Sequence, residues 1–82
     1  MPRNEKKVEV RDTERIAHGQ KGKRIVLIVR DSDIRISETR SDAEYGALIE
    51  DQDRAVYEME NTGDLYAYND GNSVAKVEVT SQ

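Results

Sequence analysis

The chain has 82 residues and a formal net charge of −4, with 35% hydrophobic and 37% charged residues and no Cys, Trp or Phe. This length accommodates one domain. No apolar run approaches the roughly 18 residues of a membrane-spanning helix, and the absence of Cys excludes disulfides and zinc–thiolate sites.

The charge is divided unevenly along the chain. Residues 1–24 hold eight basic and four acidic residues, whereas residues 25–82 hold five basic and 13 acidic ones. A basic segment can bind an acidic surface, while the acidic remainder repels nucleic acid and anionic membranes. The alternative is that the charges only keep a marginal domain soluble.

Residues 1–24 are predicted to be a basic N-terminal arm. Only Val8 and Val10 alternate with charged residues, which indicates a short edge strand or an arm that becomes ordered on contact. The stretch 11–24 has neither helical nor strand periodicity, so it is predicted to be an extended loop. The residues expected to bind a partner through this arm are Arg3, Lys6, Lys7, Val8, Val10, Arg11, Arg15, Lys21, Lys23 and Arg24.

Residues 25–82 are predicted to be a single small β domain. The five apolar residues 25–29 indicate a strand buried on both faces at the centre of the core. After a polar turn, the alternation of Ile34, Arg35 and Ile36 places both isoleucines inward and the arginine outward. Residues 37–46 are predicted to be a polar loop. Further strands follow at 47–49 and 55–60, separated by an acidic turn, and residues 61–64 form a turn in which Gly63 can adopt a positive φ.

Residues 65–79 predict a β-hairpin. Asp-Gly at positions 70 and 71 lies between two alternating runs, which is a strong hairpin signal. A two-residue turn would pair Tyr66 with Ala75 and place Tyr66 and Tyr68 on the valine face of the last strand. A one-residue bulge would reverse that face.

No segment has a sustained helical period, so the fold is predicted to be all-β. Five to seven short strands indicate a small antiparallel sandwich or barrel, with the N-terminal arm extended from it. Small all-β domains with few large apolar residues are marginally stable alone and leave sheet edges open. We therefore expect self-association, or docking on a larger body, to complete the burial.

The sequence offers little for catalysis or metal binding. His18 is the only histidine, and without a second His or a Cys a catalytic triad or zinc site is hard to build. The turn carboxylates, such as Asp31 with Asp33 and Asp51 with Asp53, lack the spacing of a calcium loop. We predict that the chain is not an enzyme and has no catalytic residue, metal site or cofactor.

Nucleic acid and membranes are not expected partners. Tyr66 and Tyr68 are the residues that could stack on bases, and both alternate with predicted core residues. The acidic body would oppose phosphate groups, so a nucleic-acid contact could come only from the basic arm.

A pattern of short motifs runs through residues 25–79. Ile-Arg-Ile at 34–36 is followed by a polar loop that ends at Gly46, then Leu48, an acidic turn, and Leu-Tyr-Ala at 65–67 before a Val-rich terminal strand. This arrangement resembles small virion proteins of tailed phages. The resemblance implies an all-β protein of the head-decoration, cement or fibre-base type.

The resemblance also implies a function, a location and partners. A decoration protein binds the major capsid protein, stabilises the head from the capsid surface and commonly forms a homotrimer; it is made in the host cytoplasm. A small acidic protein-binding module or inhibitor of a host factor is the alternative, and an enzyme accessory domain is a third hypothesis. The body residues expected to make oligomer or capsid contacts are Arg35, Tyr45, Tyr57, Met59, Tyr66 and Tyr68.

Overall fold

Two four-stranded antiparallel sheets form the computed structural model, which describes residues 4–82. The strands are β1 (Asn4–Val8), β2 (Thr13–Ala17), β3 (Arg24–Arg30), β4 (Ile34–Ser37), β5 (Ala47–Ile49), β6 (Arg54–Glu58), β7 (Leu65–Asn69) and β8 (Ala75–Ser81). A 3₁₀ helix, Arg40–Tyr45, lies in the segment predicted to be a loop. The prediction of an all-β sandwich is confirmed, although the described residues form eight strands instead of five to seven.

The strand order is that of a jelly roll. The first sheet has the order β1-β8-β3-β6 and the second sheet the order β2-β7-β4-β5. The antiparallel pairs β1–β8, β2–β7, β3–β6 and β4–β5 therefore nest inside one another. Each connection except that between β4 and β5 crosses from one sheet to the other. This topology corresponds to one long hairpin wound into two packed sheets.

The core lies between the two sheets and is centred on β3. Ile25, Leu27 and Val29 are fully buried, which confirms the predicted centre of the core. On the outer face of β3, Val26 is buried and Ile28 is half-buried. The buried apolar cluster comprises Val8, Ile16, Ile25, Leu27, Val29, Ile34, Ile36, Ile49, Met59, Leu65, Ala67, Ala75, Val77 and Val79.

The N-terminal segment belongs to the sandwich, which corrects the predicted boundary at residue 24. Strand β1 pairs with β8, and strand β2 pairs with β7. Val8 is fully buried and Ile16 is 3% exposed. An edge strand needs only a few inward apolar side chains, since its backbone hydrogen bonds supply the rest of its attachment. The register shift between Arg15 and Ala17 breaks the alternation of β2, which is why no strand period is visible in 11–24.

The predicted C-terminal hairpin does not form. Strands β7 and β8 lie in different sheets, so the expected pairing of Tyr66 with Ala75 is wrong. Ala75 pairs with Val8 instead, and Tyr66 pairs with Ser37 and Arg15. Both tyrosines therefore lie on the outer face of the second sheet, away from the inward valines of β8.

The buried side-chain amide of Asn69 holds the crossing from β7 to β8. Its Nδ2 donates to the carbonyl oxygens of Val8 (2.8 Å) and Ser73 (2.7 Å). Its Oδ1 accepts hydrogen bonds from Ser32 Oγ (2.8 Å) and from the Gly71 N–H (2.9 Å). A Cβ at Gly71 would lie 1.8 Å from Ser32 Oγ, so a larger residue there would displace this hydroxyl from its hydrogen bond to Asn69. These hydrogen bonds direct the segment that contains Asp70 and Gly71 from one sheet to the other, although local turn statistics predict a hairpin at the same residues.

The packing of β1 into the core can be tested by comparing two valines two positions apart, of which Val8 is buried and Val10 is exposed. We expect Val8→Ala to lower the free energy of unfolding by about 1–3 kcal/mol, because it removes buried methyl groups from the core. Val10 is 41% exposed, so Val10→Ala is the matched control and should change this free energy by no more than about 0.5 kcal/mol. Urea unfolding at pH 7 measures both, and equal effects would contradict the packing of β1.

Candidate functional site

The outer face of the second sheet carries a group of half-buried and exposed tyrosine and arginine side chains. The alternation of β7 buries Leu65 and Ala67, so Tyr66 and Tyr68 point outward and are half-buried. Arg35 of β4 lies opposite Tyr68 in the strand register. The Arg40 guanidinium lies over the Tyr66 ring, 5.1 Å from its centroid.

We call this surface the Tyr–Arg face and define it by Arg35, Arg40, Leu48, Tyr66 and Tyr68. Leu48 of β5 lies opposite Arg35 and is 46% exposed, which extends the face to the edge of the sheet. Three neighbouring strands and the 3₁₀ helix supply these five side chains. The face therefore combines aromatic, aliphatic and cationic groups on one regular backbone surface.

Hydrogen bonds hold both arginines in place before any partner arrives. Arg35 Nε donates to Asp70 Oδ2 (3.1 Å), and Arg35 Nη1 donates to the Gly46 carbonyl (3.1 Å). Arg40 Nη1 donates to the Thr13 carbonyl at 3.0 Å. Side chains ordered in the free protein lose less conformational entropy on binding, so these contacts lower the entropy cost of any interaction made through the two arginines.

Three of the predicted body contacts converge on this face, while two others face inward. Arg35, Tyr66 and Tyr68 lie together on it. Met59 is 1% exposed and lies in the core, so its predicted contact role is wrong. Tyr57 is half-buried on the inward-facing side of β6, because the alternation of that strand exposes residues 54, 56 and 58 instead.

Tyr45 is a predicted contact residue, whereas the sequence pattern gives no signal for Arg40. Tyr45, at the end of the 3₁₀ helix, is 80% exposed and therefore accessible, and its predicted contact role stays a prediction. Arg40 was not predicted, since it lies in a polar segment without periodicity. An arginine three residues after the end of β4 has no sequence signal for stacking on a tyrosine 26 positions away.

The predicted arm residues are distributed over β1, β2, the first residue of β3 and the loops between these strands. Most of the charged ones are exposed, but Val8 is fully buried, so its predicted partner contact is wrong. Arg11 donates to the Gly71 carbonyl (3.2 Å), and Arg24 forms an ion pair with Glu58 (3.1 Å). Arg3 lies outside the described residues. The exposed arm residues are Lys6, Lys7, Val10, Arg11, Arg15, Lys21, Lys23 and Arg24.

An open cleft of about 330 Å³ lies beside strands β1 and β2. Lys6, Arg15 and His18 line it together with apolar side chains from both sheets. His18 Nδ1 lies 2.8 Å from Asp64 Oδ1, and the Gly19 N–H donates to the same oxygen at 3.1 Å. These two hydrogen bonds, from Gly19 and then His18, hold the pKa of Asp64 below its usual value.

The cleft does not assemble a nucleophile with a base. Ser81 lines the cleft, but its hydroxyl donates to Gln20 Oε1 at 2.8 Å and is not bonded to His18. A Ser-His-Asp arrangement needs a hydrogen bond from the serine to the histidine. The His18–Asp64 contact joins the loops at 18–20 and 61–64.

Glu38 is a buried carboxylate that the sequence pattern did not single out. It is 6% exposed and accepts hydrogen bonds from the Tyr57 hydroxyl (3.0 Å) and the Asn61 side-chain amide (3.3 Å). The backbone N–H groups of residues 60–63 also converge on its two oxygens, at 3.0–3.4 Å. The φ of 82° at Gly63 curls this loop around the carboxylate, as the predicted turn requires.

These hydrogen bonds determine the ionisation of Glu38. Burial raises the pKa of Glu38, but the hydrogen bonds from Tyr57 and from the backbone of residues 61–63 outweigh it, so the pKa lies below its usual value. A carboxyl whose folded-state pKa is lowered stabilises the fold above its unfolded pKa, about 4.3. That stabilisation is lost as the pH falls through the folded-state pKa.

A neutral replacement of Glu38 should therefore destabilise the fold in a pH-dependent way. We expect Glu38→Gln to lower the free energy of unfolding at pH 7 by about 2–3 kcal/mol. The neutral amide has one acceptor oxygen in place of two charged ones, so it cannot accept all of the hydrogen bonds from these N–H groups. Below about pH 4 the difference from the parent chain should shrink, as the parent carboxyl also becomes protonated. Urea unfolding from pH 7 to pH 2.5 measures this.

The exposed Glu44 provides the matched control for this substitution. Glu44→Gln should leave the free energy of unfolding within about 0.5 kcal/mol at every pH. A Glu38→Gln effect that stays constant down to pH 2.5 would mean that the carboxylate charge is not what the loop binds.

Comparison with known protein families, curated proteins and solved structures found no match to this chain. Within residues 4–82, no group of three or more His, Cys, Asp or Glu side chains is placed to hold a metal ion. In the same part of the chain, no helix has the length and apolar character needed to cross a bilayer.

Proposed function

We propose that the chain is a structural virion protein, a capsid decoration or cement subunit that binds the major capsid protein through the Tyr–Arg face. The arrangement of Tyr66, Tyr68, Arg35 and Arg40 is the observation that carries this proposal. Tyrosine and arginine are the residue types that dominate binding energy in protein interfaces. A regular sheet surface presents them without a loop that must first be ordered.

The chemistry of the face favours an acidic protein surface as the partner. A guanidinium has five N–H donors, and Arg40 uses one of them on the Thr13 carbonyl. The remaining donors suit carboxylates, while the tyrosine rings cover apolar area beside them. The chain has a net charge of −4, which repels a partner as densely charged as nucleic acid more strongly than a protein surface with scattered carboxylates, so nucleic acid is the less favoured class.

Two arguments support a capsid in particular. The jelly-roll topology is found in viral capsid domains, although lectins and cupins share it, so topology alone does not assign the function. The resemblance of residues 25–79 to small tailed-phage virion proteins adds the second argument. On a capsid lattice, many copies of a modest contact act together, so a face of five side chains suffices for stable decoration.

The alternative is a small protein-binding module, such as an inhibitor of a host factor. The observation that favours it is the complete sandwich: β1 and β2 cover the core that the sequence suggested was open. A module with a covered core can act alone in solution. Both functions use the Tyr–Arg face, and they differ in the partner that it binds.

Capsid occupancy tests the proposal. We expect Tyr66→Ala and Tyr68→Ala each to weaken binding to capsids of the virus that encodes the chain by about tenfold or more, because each removes an aromatic contact. Thr80→Ala, on the outer face of the first sheet, is the matched control and should bind normally. Co-sedimentation of purified chain with capsids measures the occupancy.

Two further measurements complete this test: the salt dependence of capsid binding and the kind of molecule that the chain captures. Binding should weaken as ionic strength rises, because exposed charges are screened beyond about 8–10 Å. Unchanged occupancy for both tyrosine variants would falsify the capsid role of the face. Capture of a soluble host protein that Tyr66→Ala abolishes would support the inhibitor function, and loss of oligonucleotide binding in that variant would identify nucleic acid instead.

A further inference from the structure

We propose that two copies of the chain pair edge to edge through strand β6, about a two-fold axis centred on Val56. The first sheets of the two copies then form one continuous eight-stranded sheet. This pairing is independent of whether either copy binds a capsid, so its test and the capsid test fail separately.

The outer edge of β6 offers unpaired backbone groups. β6 is the last strand of the first sheet, and no described strand pairs with its other side. The Met59 N–H donates to the Lys23 carbonyl and the Val29 N–H to the Asp53 carbonyl, both at 3.0 Å. Hydrogen-bonded pairs alternate along an antiparallel ladder. Residues 55 and 57 therefore bond to β3, and residues 54, 56 and 58 direct their N–H and C=O groups to the free edge.

The charges on this edge are complementary to themselves. A two-fold axis at Val56 places Arg54 of one copy opposite Glu58 of the other, twice per dimer. All three residues with free backbone groups then take part in the new ladder, which a two-fold axis at Arg54 or Glu58 does not allow. Glu58 already contacts Arg24 of its own chain at 3.1 Å, so its carboxylate would lie between two guanidinium groups.

Apolar contacts follow the same symmetry. Val56 is 49% exposed, and it lies opposite Val26, which is 8% exposed. Pairing places the two Val56 side chains opposite each other, so a row of four valines crosses the axis on the outer face. On the inward-facing side, Ala55 meets Tyr57 of the second copy. Cross-strand pairs of β-branched residues and of opposite charges both stabilise a sheet.

The other strand edges are less suited to this pairing. A two-fold axis at the middle residue of β1 places Lys6 opposite Lys6, although Glu5 then meets Lys7, and in β2 it places Arg15 opposite Arg15, so like charges meet at the axis of both edges. Strand β2 also contains the register shift. Strand β5 has three residues and offers few hydrogen bonds. Edges that carry charge resist unplanned pairing, and the order of charges in β6 permits pairing in one register.

Charge reversal tests this register with three protein samples. A chain with Arg54→Glu presents two acidic side chains at the edge, and a chain with Glu58→Arg presents two basic ones. Each alone places like charges opposite each other, so its dimer dissociation constant should rise about 10- to 100-fold. An equimolar mixture of the two restores opposite charges, so it should form a heterodimer. Sedimentation velocity at about 100 μM chain measures all three against the parent dimer.

Lys7→Glu, on β1 at the opposite edge of the same sheet, is the control and should leave the dimer unchanged. Circular dichroism and thermal unfolding confirm that both edge variants fold, since residues 54 and 58 are exposed. A monomeric parent chain, a trimer such as the resemblance implies, or a dimer that neither variant weakens would each overturn the proposal. Failure of the folded variants to form the mixed dimer would overturn the register.

Discussion

The side-chain amide of Asn69 is the interaction on which the arrangement of the chain depends. It bonds to the end of β1, to the turn after β3 and to both sides of the crossing from β7 to β8. A buried amide with all its partners present stabilises one geometry, because any other geometry leaves polar atoms without hydrogen bonds. The crossing that it holds separates β7 from β8 and turns Tyr66 and Tyr68 to the outside.

Patterns that repeat every two residues could be read from the sequence, and contacts between distant segments could not. The run 25–29 and the alternation around Arg35 correctly indicated the core strand and the outward arginine. Strand β2 was missed because its register shift removes the period, and Met59 was misplaced because it follows a half-buried strand. Glu38 and Arg40 act through partners about 20 or more positions away, for which a single sequence holds no signal.

The two proposed interactions use different parts of the sandwich. The Tyr–Arg face covers the outside of the second sheet, whereas β6 forms an edge of the first. Edge pairing therefore leaves the outward tyrosines of each copy free, and a dimer would present two such faces. Two linked faces bind a repeating surface more tightly than one when their spacing matches the repeat. Self-association and decoration are thus compatible, although neither requires the other.

The pairing of β1 with β8 has a consequence for biosynthesis. These neighbours in the first sheet come from opposite ends of the described chain, and β2 likewise waits for β7. During translation, β1 therefore emerges without its partner strand until residues 75–81 have left the ribosome, and β2 emerges without its partner until residues 65–69 have followed. Non-local strand pairing of this kind slows folding, and the charged residues of β1 and β2 oppose edge-to-edge pairing with other chains in that interval.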